Sequence, residues 1–284
     1  MALFFIIMST PYITSAANPR LRQARALTRR KERDATGLCL AEGIFHVGEA
    51  LAAADAGRAT VEYLLYAPDR LISDFGRGLV ARAAAAGVPV YEVAAEVLAG
   101  VAEKDNPQGL LAVVRPRRYQ LDELDAGGFP WGVALVAPQD PGNVGTVLRT
   151  IDAVGASGLL LLDGGVDALH PAVVRASMGV VFHRPIVSAS FADFLSWARA
   201  GGRQLIATSA RGRGDYRATR YALPLVLLLG SEREGLSAEQ VAAADDLVRL
   251  PMRGRVTSLN LAVAAGVLLY AIHDSLDAQG LGPG

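Results

Sequence analysis

Short segments made only of apolar residues alternate with longer mixed segments along most of the chain, and this alternation limits the fold more than any other feature. The clearest case is the run from Leu225 to Leu229, in which every residue is apolar. Strands of this kind are covered on both faces, as in a parallel sheet flanked by helices. The sequence therefore predicts an α/β fold with a mostly parallel sheet and helices on both faces.

The alternation is most regular in the second half of the chain. There the predicted strands are 132–137, 158–162, 204–207, 225–229 and 247–250, and the predicted helices are 144–154, 191–200, 238–244 and 259–273. In the first half the predicted helices are 19–33, 44–54 and 79–86, and the predicted strands are 37–41, 60–66, 88–92 and 109–114. Both halves are therefore predicted to form α/β layers.

A polar segment with proline and glycine separates the two halves. It runs from Arg115-Pro116 to Gly128-Phe129-Pro130, a composition typical of an exposed linker. The 284 residues amount to about twice the length of a usual domain. We expect a smaller N-terminal α/β domain at 12–115, a linker at 116–130 and a larger C-terminal domain at 131–276.

Charge and cysteine content exclude several function classes. Lys and Arg number 28 and Asp and Glu number 28, so any attraction to nucleic acid has to come from local patches. Cys39 is the single cysteine and the four histidines are far apart in the sequence, so neither an internal disulfide nor a metal site is expected. The apolar run at 261–272 has twelve residues, fewer than the roughly 18 that cross a bilayer, and predicts a buried helix in a soluble protein.

The first residues contain a second candidate start of translation, Met8. The apolar run from Leu3 to Met8 is short and has no basic residue before it, so it does not resemble a signal peptide. The protein is therefore expected to be cytoplasmic.

Three polar junctions, at 139–145, 230–237 and 250–260, each follow a predicted strand of the second half. Taken singly, each is explained by turn formation and helix capping, with Ser237, Thr257 or Ser258 as N-caps. In an open parallel sheet, however, ligands bind at the edge where the strands have their carboxyl ends. The sequence therefore predicts a ligand site at this edge. It contains neither a dinucleotide fingerprint nor a P-loop, which disfavours a nucleotide-dependent oxidoreductase.

The junctions contain three motifs in a fixed order. The first is Asn143-x-Gly145-x-x-x-Arg149, the second is Gly230-x-Glu232-x-x-Gly235-Leu236-Ser237, and the third is Leu250-Pro251-Met252-x-Gly254 followed by Ser258-Leu259-Asn260. Together they resemble the motifs of the SpoU family, RNA ribose 2′-O-methyltransferases with the SPOUT fold. The segment Arg175-Ala176-Ser177-Met178-Gly179 resembles the one that this family has between its first two motifs.

The first half has a resemblance of its own. Four segments, Asn18-Pro19-x-Leu21, Arg30-Lys31-x-Arg33, Glu42-Gly43 and residues 108–114, are similar to the ribosomal-protein-L30-like substrate-binding domain of many family members. This similarity implies a ribose 2′-hydroxyl in structured RNA as substrate and favours ribosomal RNA. The alternatives are a transfer-RNA ribose methyltransferase and a non-catalytic RNA-binding or ribosome-assembly protein with the same fold.

The family resemblance also implies a cofactor and an assembly. It implies S-adenosylmethionine as methyl donor, a trefoil knot in the C-terminal domain, and a homodimer with its sites at the interface. The implied cofactor-binding residues are Thr208, Gly230, Leu250, Met252 and Leu259.

The implied catalytic residues are Arg149, Asn143, Glu232, Ser258 and Asn260. Methyl transfer to a hydroxyl requires alignment and stabilisation of the negative charge that develops on the oxygen. In this family the arginine is often described as the general base, but arginine stays protonated in proteins, so Arg149 could instead clamp phosphate and stabilise the forming alkoxide. Glu232 is a chemically easier base. Asn143, Ser258 and Asn260 would orient these groups by hydrogen bonds.

A basic stretch from Asn18 to Asp34 is the first candidate for RNA contact. On a single helix, Leu21, Ala24 and Leu27 or Thr28 would face inward and the basic side chains outward. A solvated helix face is the alternative, but the local excess of positive charge favours phosphate binding. The candidate RNA-binding residues are Arg20, Arg22, Arg25, Arg29, Arg30, Lys31 and Arg33, together with Arg175.

Overall fold

Two α/β units make up the chain in a computed structural model that describes residues 12–101, 108–209, 212 and 214–281. The first unit extends to Arg117 and includes Leu169–Arg175, and the second comprises Arg118–Ala168 and the residues from Ala176 onward. The apolar run at 3–8, with the candidate start Met8, lies outside the described residues. The domain ranges expected from the sequence stay predictions.

The first unit contains a five-stranded mixed sheet. Its elements are β1 (Tyr12–Ile13), α1 (Pro19–Ala26), α2 (Arg30–Thr36), β2 (Cys39–Glu42), α3 (Ile44–Asp55), β3 (Ala59–Tyr66), α4 (Asp74–Ala85), β4 (Val90–Val93), α5 (Ala95–Ala99) and β5 (Leu110–Pro116). The strand order is β1-β4-β3-β5-β2, with β5 antiparallel to β2 and β3. Leu21, Leu27, Tyr63, Leu65 and Val113 belong to its core.

The single helix predicted at 19–33 is wrong, because the structure has two helices, α1 and α2, with a break at 27–29. The side chain of Arg33 returns to this break. Its Nη1 donates to the carbonyl oxygens of Leu27 and Thr28, both at 2.8 Å. These carbonyls follow the end of α1 and have no intrahelical partner, so the guanidinium stabilises the break. The inward positions predicted for Leu21, Ala24 and Leu27 are confirmed, since all three are fully buried.

The second unit contains a seven-stranded sheet. Its elements are β6 (Trp131–Val136), α6 (Pro141–Ala153), β7 (Leu159–Leu162), α7 (Pro171–Ala176, assigned up to Arg175 to the first unit), β8 (Ile186–Ala189), α8 (Phe191–Ala200), β9 (Gln204–Thr208), β10 (Gly214–Asp215), β11 (Leu225–Leu229), α9 (Ala238–Ala242), β12 (Asp246–Arg249) and α10 (Leu261–Ala278). Short 3₁₀ turns lie at Leu121–Glu123 and Val180–Phe182.

Every strand pairing in the described part of this second sheet is parallel, in the order β10-β12-β9-β11-β6-β7-β8. Strands β6, β7 and β11 are buried at every residue. Both faces of these strands are therefore covered, which confirms the parallel α/β fold expected from the apolar runs.

The segment before β6 is exposed over most of its length, as its composition predicts, but two apolar side chains anchor it. Leu124 and Phe129 are buried. The Leu124 carbonyl accepts hydrogen bonds from Trp197 Nε1 at 3.1 Å and from Arg203 Nη2 at 2.7 Å. Arg203 also lies 3.8 Å from the centre of the Trp197 ring. The second half of the predicted linker is therefore part of the second unit.

Helix α10 is longer than the predicted 259–273 and passes the length and hydropathy test for a membrane span. One face of it is nevertheless buried within the protein, with Ala265, Leu268, Leu269, Ile272 and Leu276 almost inaccessible to solvent. The helix also packs on α6. These contacts are those of a core helix, as the sequence predicts.

Candidate active site

The three polar junctions lie at one edge of the second sheet. The first (139–145) follows β6, the second (230–237) follows β11, and the third (250–260) follows β12. These strands belong to one parallel sheet, so their carboxyl ends share an edge. The predicted convergence of the three junctions is confirmed by hydrogen bonds that connect them.

Glu232 connects the second junction to the first. Its Oε2 accepts from the backbone N–H of Gln139 at 3.0 Å, and its Oε1 accepts from Asn143 Nδ2 at 3.1 Å. A longer contact of 3.4 Å joins Oε1 to the Asp140 N–H. Since these groups begin helix α6, the carboxylate also lies where the helix dipole favours negative charge.

Asn143 connects the first junction to the third. Its Oδ1 accepts from Asn260 Nδ2 at 2.9 Å. Asn260 is also the N-cap of α10, because its Oδ1 accepts from the N–H groups of Ala262 at 2.9 Å and Val263 at 3.3 Å. Asn260 therefore takes the capping role expected of Thr257 or Ser258, whereas Ser237 caps α9 as predicted.

The hydrogen bonds to Glu232 determine its protonation. Burial acts to raise the pKa of its carboxyl group, but the donors from Asn143, Gln139 and Asp140 outweigh burial and hold the pKa below its ordinary value. Glu232 is therefore ionised near neutral pH, and both of its oxygens are occupied by donors. A carboxylate in this state is a weak proton acceptor and a firm anchor for the first junction.

Gly230 shapes the turn that presents Glu232. A Cβ at this position would overlap the backbone of Gly235 and Leu236, so only glycine fits. The turn is closed by the Gly235 N–H, which donates to the Ser231 carbonyl at 3.0 Å, and by the Glu234 N–H, which donates to Ser231 Oγ at 3.2 Å. The second junction is therefore a compact turn with Glu232 at its outer side.

The backbone of the third junction is available to a ligand. Residues 251–259 form no strand or helix, and their N–H and C=O groups make no hydrogen bond to any other residue that the structure describes. Residues that merely packed against the sheet would pair these groups with it. The predicted cofactor-binding residues Leu250, Met252 and Leu259 lie in this junction. Thr208 ends β9 opposite Val248 of β12, at the start of the same junction.

Arg149 and Ser258 are the two predicted catalytic residues whose side chains stay available. Arg149 lies on α6 and Ser258 in the third junction, and both are exposed. Over the described ranges neither side chain forms a hydrogen bond or an ion pair. A guanidinium and a hydroxyl can therefore act on a bound substrate at the edge where Glu232, Asn143 and Asn260 connect the junctions.

The sequence did not predict that Glu232 would accept hydrogen bonds from the backbone of the first junction. Gln139 supplies an N–H to Glu232, and its side-chain Nε2 donates to the Ala137 carbonyl at 3.0 Å. Asp140 is the N-cap of α6, with its Oδ1 accepting from the Asn143 N–H at 2.7 Å. The Asp-Pro pair at a helix start was the available signal for this cap. No local signal indicates a bond to Glu232, which is about 90 positions further along the chain.

Arg33 is the clearest correction among the predicted RNA-binding residues. It is 2% exposed, and its guanidinium is committed to the carbonyls of Leu27 and Thr28. A buried, hydrogen-bonded guanidinium does not reach a phosphate in the folded protein, so Arg33 is a structural residue.

The other basic residues of this stretch are exposed but differently engaged. Arg20 lies 5.0 Å from the Tyr63 ring centre, Arg25 Nε donates to the Gly100 carbonyl at 3.2 Å, and Arg30 pairs with Asp34 at 3.5 Å. The residues with no such contact in the described structure are Arg22, Arg29 and Lys31. Arg175 is exposed at the end of α7 and belongs by its contacts to the first unit.

The described residues hold no group of three or more His, Cys, Asp or Glu side chains that could bind a metal ion. The side chains of the three junctions carry amide, carboxylate, hydroxyl and guanidinium groups.

Comparison with known proteins identifies this arrangement. A model of the SpoU rRNA Methylase family matches residues 130–270, which contain all three junctions. A model of the MRM3-like substrate binding domain matches residues 18–112 in the first unit.

Individual relatives match over nearly the whole chain. A 23S rRNA (guanosine(2553)-2′-O)-methyltransferase of Bacillus subtilis is 30% identical over 92% of this chain and 98% of its own length. The AdoMet-bound rRNA methyltransferase from Sinorhizobium meliloti is 37% identical with a TM-score of 0.84, over 94% of this chain and 98% of that one. The SpoU methyltransferase AviRb from Streptomyces viridochromogenes, in complex with AdoMet, is 29% identical with a TM-score of 0.81, over 92% and 100%. The chain belongs to the SpoU family.

Proposed function

We propose that this protein is an S-adenosylmethionine-dependent methyltransferase that methylates a ribose 2′-hydroxyl of ribosomal RNA. The observation that carries the proposal is a chain of side-chain hydrogen bonds from Glu232 through Asn143 to Asn260. These bonds join the three junctions at one edge of the sheet. The activities in the names of the Bacillus subtilis and Sinorhizobium meliloti relatives support it, since both are rRNA methyltransferases. The match to a substrate-binding domain over 18–112 supports RNA recognition by the first unit.

The third junction fits the cofactor. Its free backbone groups around Leu250, Met252 and Leu259 can bond an adenine ring, and Thr208 at the end of β9 is paired with Val248 of β12, shortly before this junction. When bound, S-adenosylmethionine supplies a methyl group on a positively charged sulfur, which a nucleophilic oxygen can accept. The fixed positions of the three junctions contribute alignment, which is the main requirement of such a transfer.

Arg149 and Ser258 act on the RNA in this proposal. The Arg149 guanidinium binds a phosphate next to the target ribose and stabilises the negative charge that develops on the 2′-oxygen. The Ser258 hydroxyl orients the ribose by a hydrogen bond. Both side chains are exposed and make no bond to the described protein, so binding does not require them to break one.

Glu232 serves as a positioning residue in this scheme. Its oxygens are bonded to the first junction, and its lowered pKa makes it a poor base. Asn143 and Asn260 continue the same chain of bonds to the third junction. These hydrogen bonds therefore hold the third junction and helix α6, which carries Arg149, in a fixed relation.

We also propose that the enzyme is a homodimer through α10. Val263, Val267 and Tyr270 are 52%, 39% and 51% exposed and recur at a spacing that places them on one helix face. An apolar stripe of this kind fits a second copy of the same helix. Light scattering should give about twice 29.8 kDa for the wild type, and the chain mass for Val267→Asp. A monomeric wild type would overturn the proposal.

The remaining expectations follow from the family. The trefoil knot stays a prediction, because strand order does not define how the chain threads. We also propose a cytoplasmic location, because ribosomal RNA is the proposed substrate. Its domains are proposed as 12–115 and 131–276, with the segment between them partly packed on the second.

Methylation mapping tests the proposed function. Wild-type protein and the Arg149→Ala variant are incubated with unmodified 23S rRNA, transfer RNA and labelled S-adenosylmethionine, and ribose methylation is mapped. We expect one methylated position in 23S rRNA with the wild type and none with Arg149→Ala. Methylation of transfer RNA alone would make transfer RNA the substrate instead. A wild type that binds no cofactor would support a non-catalytic RNA-binding protein.

A further inference from the structure

Three further arginines lie in the junctions and have no role in the proposed methyl transfer. Arg233 follows Glu232 in the second junction, and Arg253 and Arg255 flank Gly254 in the third. All three are exposed, and none forms an ion pair, hydrogen bond or ring contact with the part of the chain that the structure describes. With Arg149, four exposed guanidinium groups therefore belong to the junctions or to the helix that leaves them.

Two other arginines of the same unit are paired with acids. Arg184 Nε bonds Asp152 at 2.8 Å, and Arg199 Nη1 bonds Asp245 at 2.8 Å. The fold thus supplies carboxylates to arginines elsewhere on this unit. The junction arginines have no such partner among the described residues, and they lie in the loops of the candidate site.

The carboxylates of the junctions are used differently. Asp140 accepts from the Asn143 N–H, and Glu232 accepts from backbone and amide N–H groups. Neither bonds a guanidinium, and Glu234 is the one other carboxylate of the second junction. The acids hold the loops together, and the cations stay available to an external anion.

Phosphodiesters are the anions that this arrangement fits. A guanidinium offers two parallel N–H donors that match phosphate oxygens, and an RNA chain presents one phosphate for each nucleotide on either side of its target. We propose that Arg233, Arg253 and Arg255 bind the backbone phosphates that flank the methylated nucleotide. This inference rests on the proposed function, because it takes RNA as the substrate at this edge.

The position of two of these arginines couples RNA binding to cofactor binding. Arg253 and Arg255 lie between Met252 and Leu259, whose backbone groups are free to hold the cofactor. Occupation of those groups restrains the segment, so the arginines lose less freedom when they bind phosphate. Because linkage is reciprocal, RNA strengthens cofactor binding by the same factor.

The experiment uses the full chain, an unmodified 23S rRNA transcript and S-adenosylhomocysteine, which cannot donate a methyl group. RNA affinity is measured at several salt concentrations, with and without S-adenosylhomocysteine, for wild type and for the double variant Arg253→Ala/Arg255→Ala. The matched control is Arg217→Ala/Arg220→Ala, which removes two exposed arginines of the same unit outside the junctions. The single variant Arg233→Ala is measured in parallel.

We expect the double variant to reduce the slope of log affinity against log salt by about 1.4–1.8, and Arg233→Ala by about half of that. RNA affinity of the double variant should fall about tenfold at 150 mM salt. The gain in RNA affinity that S-adenosylhomocysteine gives the wild type should disappear, while S-adenosylhomocysteine affinity without RNA stays unchanged. The control should retain both the slope and the gain.

Two results overturn the inference. The first is a double variant that keeps the wild-type salt slope of RNA affinity and the wild-type gain from S-adenosylhomocysteine. The second is a control variant whose salt slope and gain fall as much as those of the double variant. If the wild type binds no S-adenosylhomocysteine, the proposed function fails instead, and the salt slopes still report whether these arginines contact RNA. Glu234→Gln sharpens the test, because removing that carboxylate should raise RNA affinity about two- to threefold.

Discussion

Arginines are concentrated in two regions of this molecule, and the protein holds them in different ways. In the first unit they are neighbours in sequence, along α1 and α2. There Arg33 is buried on the carbonyls of Leu27 and Thr28, and Arg25 donates to the Gly100 carbonyl. In the second unit they are far apart in sequence, at 149, 233, 253 and 255, and the parallel sheet brings their junctions to one edge.

The difference shows that a dense run of charge is a poor measure of available charge. Where helices end close together, unpaired carbonyl groups accept from nearby guanidinium groups. At the edge with the junctions, hydrogen bonds among amides and a carboxylate connect the loops instead, and the guanidinium groups are left exposed. Four sets of substitutions test this difference, from the largest expected effect to the smallest.

Arg149→Ala should have the largest effect on activity. In the proposed mechanism the Arg149 guanidinium stabilises the developing oxyanion, so its loss should lower the single-turnover rate of methyl transfer by about 10²–10³-fold. S-adenosylhomocysteine affinity, measured by calorimetry, should stay within about twofold, since the cofactor residues are in another junction. Arg149→Lys keeps the charge without the planar fork and should be intermediate. A near-normal rate for Arg149→Ala would remove this residue from the mechanism.

Glu232→Gln should lower the same rate by up to about 10²-fold, because it misplaces the first junction. In the wild type the lowered pKa means that the carboxylate contribution is fully present above the ordinary glutamate pKa and is lost as pH falls through the native value. The rate between pH 6 and 9 should therefore show no ionisation of Glu232. An acid limb in this range that disappears in Glu232→Gln would instead make Glu232 the base.

Arg33→Met and Arg29→Met separate buried from exposed arginines of the basic stretch. Arg33→Met leaves two carbonyls near the end of α1 without their donor and should lower the free energy of unfolding by about 1–3 kcal/mol. Arg29→Met removes an exposed side chain and should change it by less than about 0.5 kcal/mol. Urea denaturation of the full chain measures both. Equal losses would contradict the structural role assigned to Arg33.

Arg22→Ala/Arg29→Ala should have the smallest effect. Their exposed side chains form no hydrogen bond, ion pair or ring contact with the described residues, and phosphate binding by them predicts that their removal lowers the salt slope of RNA affinity by about 1.4–1.8. Folding stability should be unchanged. A wild-type slope would make this face a solvated helix surface and leave RNA contact to the junction arginines.

The elements with strong patterns were predictable from the sequence. The apolar run Leu225–Leu229 and the helix Phe191–Ala200 occur as predicted, and the parallel sheet follows from strands that are apolar on both faces. Strand β8 was missed because Ile186–Ala189 is only four residues long and contains a serine. The break between α1 and α2 was missed because Arg33, which stabilises it, is indistinguishable in the local sequence from the exposed basic residues around it.

The sequence predicted which junctions form the site, but not which hydrogen bonds connect them. Strand ends locate the three loops, and the family motifs identify Asn143, Glu232 and Asn260. Which of them contact each other depends on pairs about 90 and 117 positions apart in sequence, and local propensity carries no information about such pairs. The N-cap of α10 was missed for a related reason, since Ser258 and Asn260 are both good caps and packing decides between them.

The double acceptor role of the Leu124 carbonyl determines where a working catalytic fragment can be cut. A fragment that starts at Trp131, where β6 begins, would lack this acceptor and leave Trp197 Nε1 and Arg203 Nη2 without it. It would also uncover the hydrophobic core cluster that Leu124 and Phe129 complete. Recombinant versions of the methyltransferase half should therefore begin near Arg118, and shorter ones should be poorly soluble.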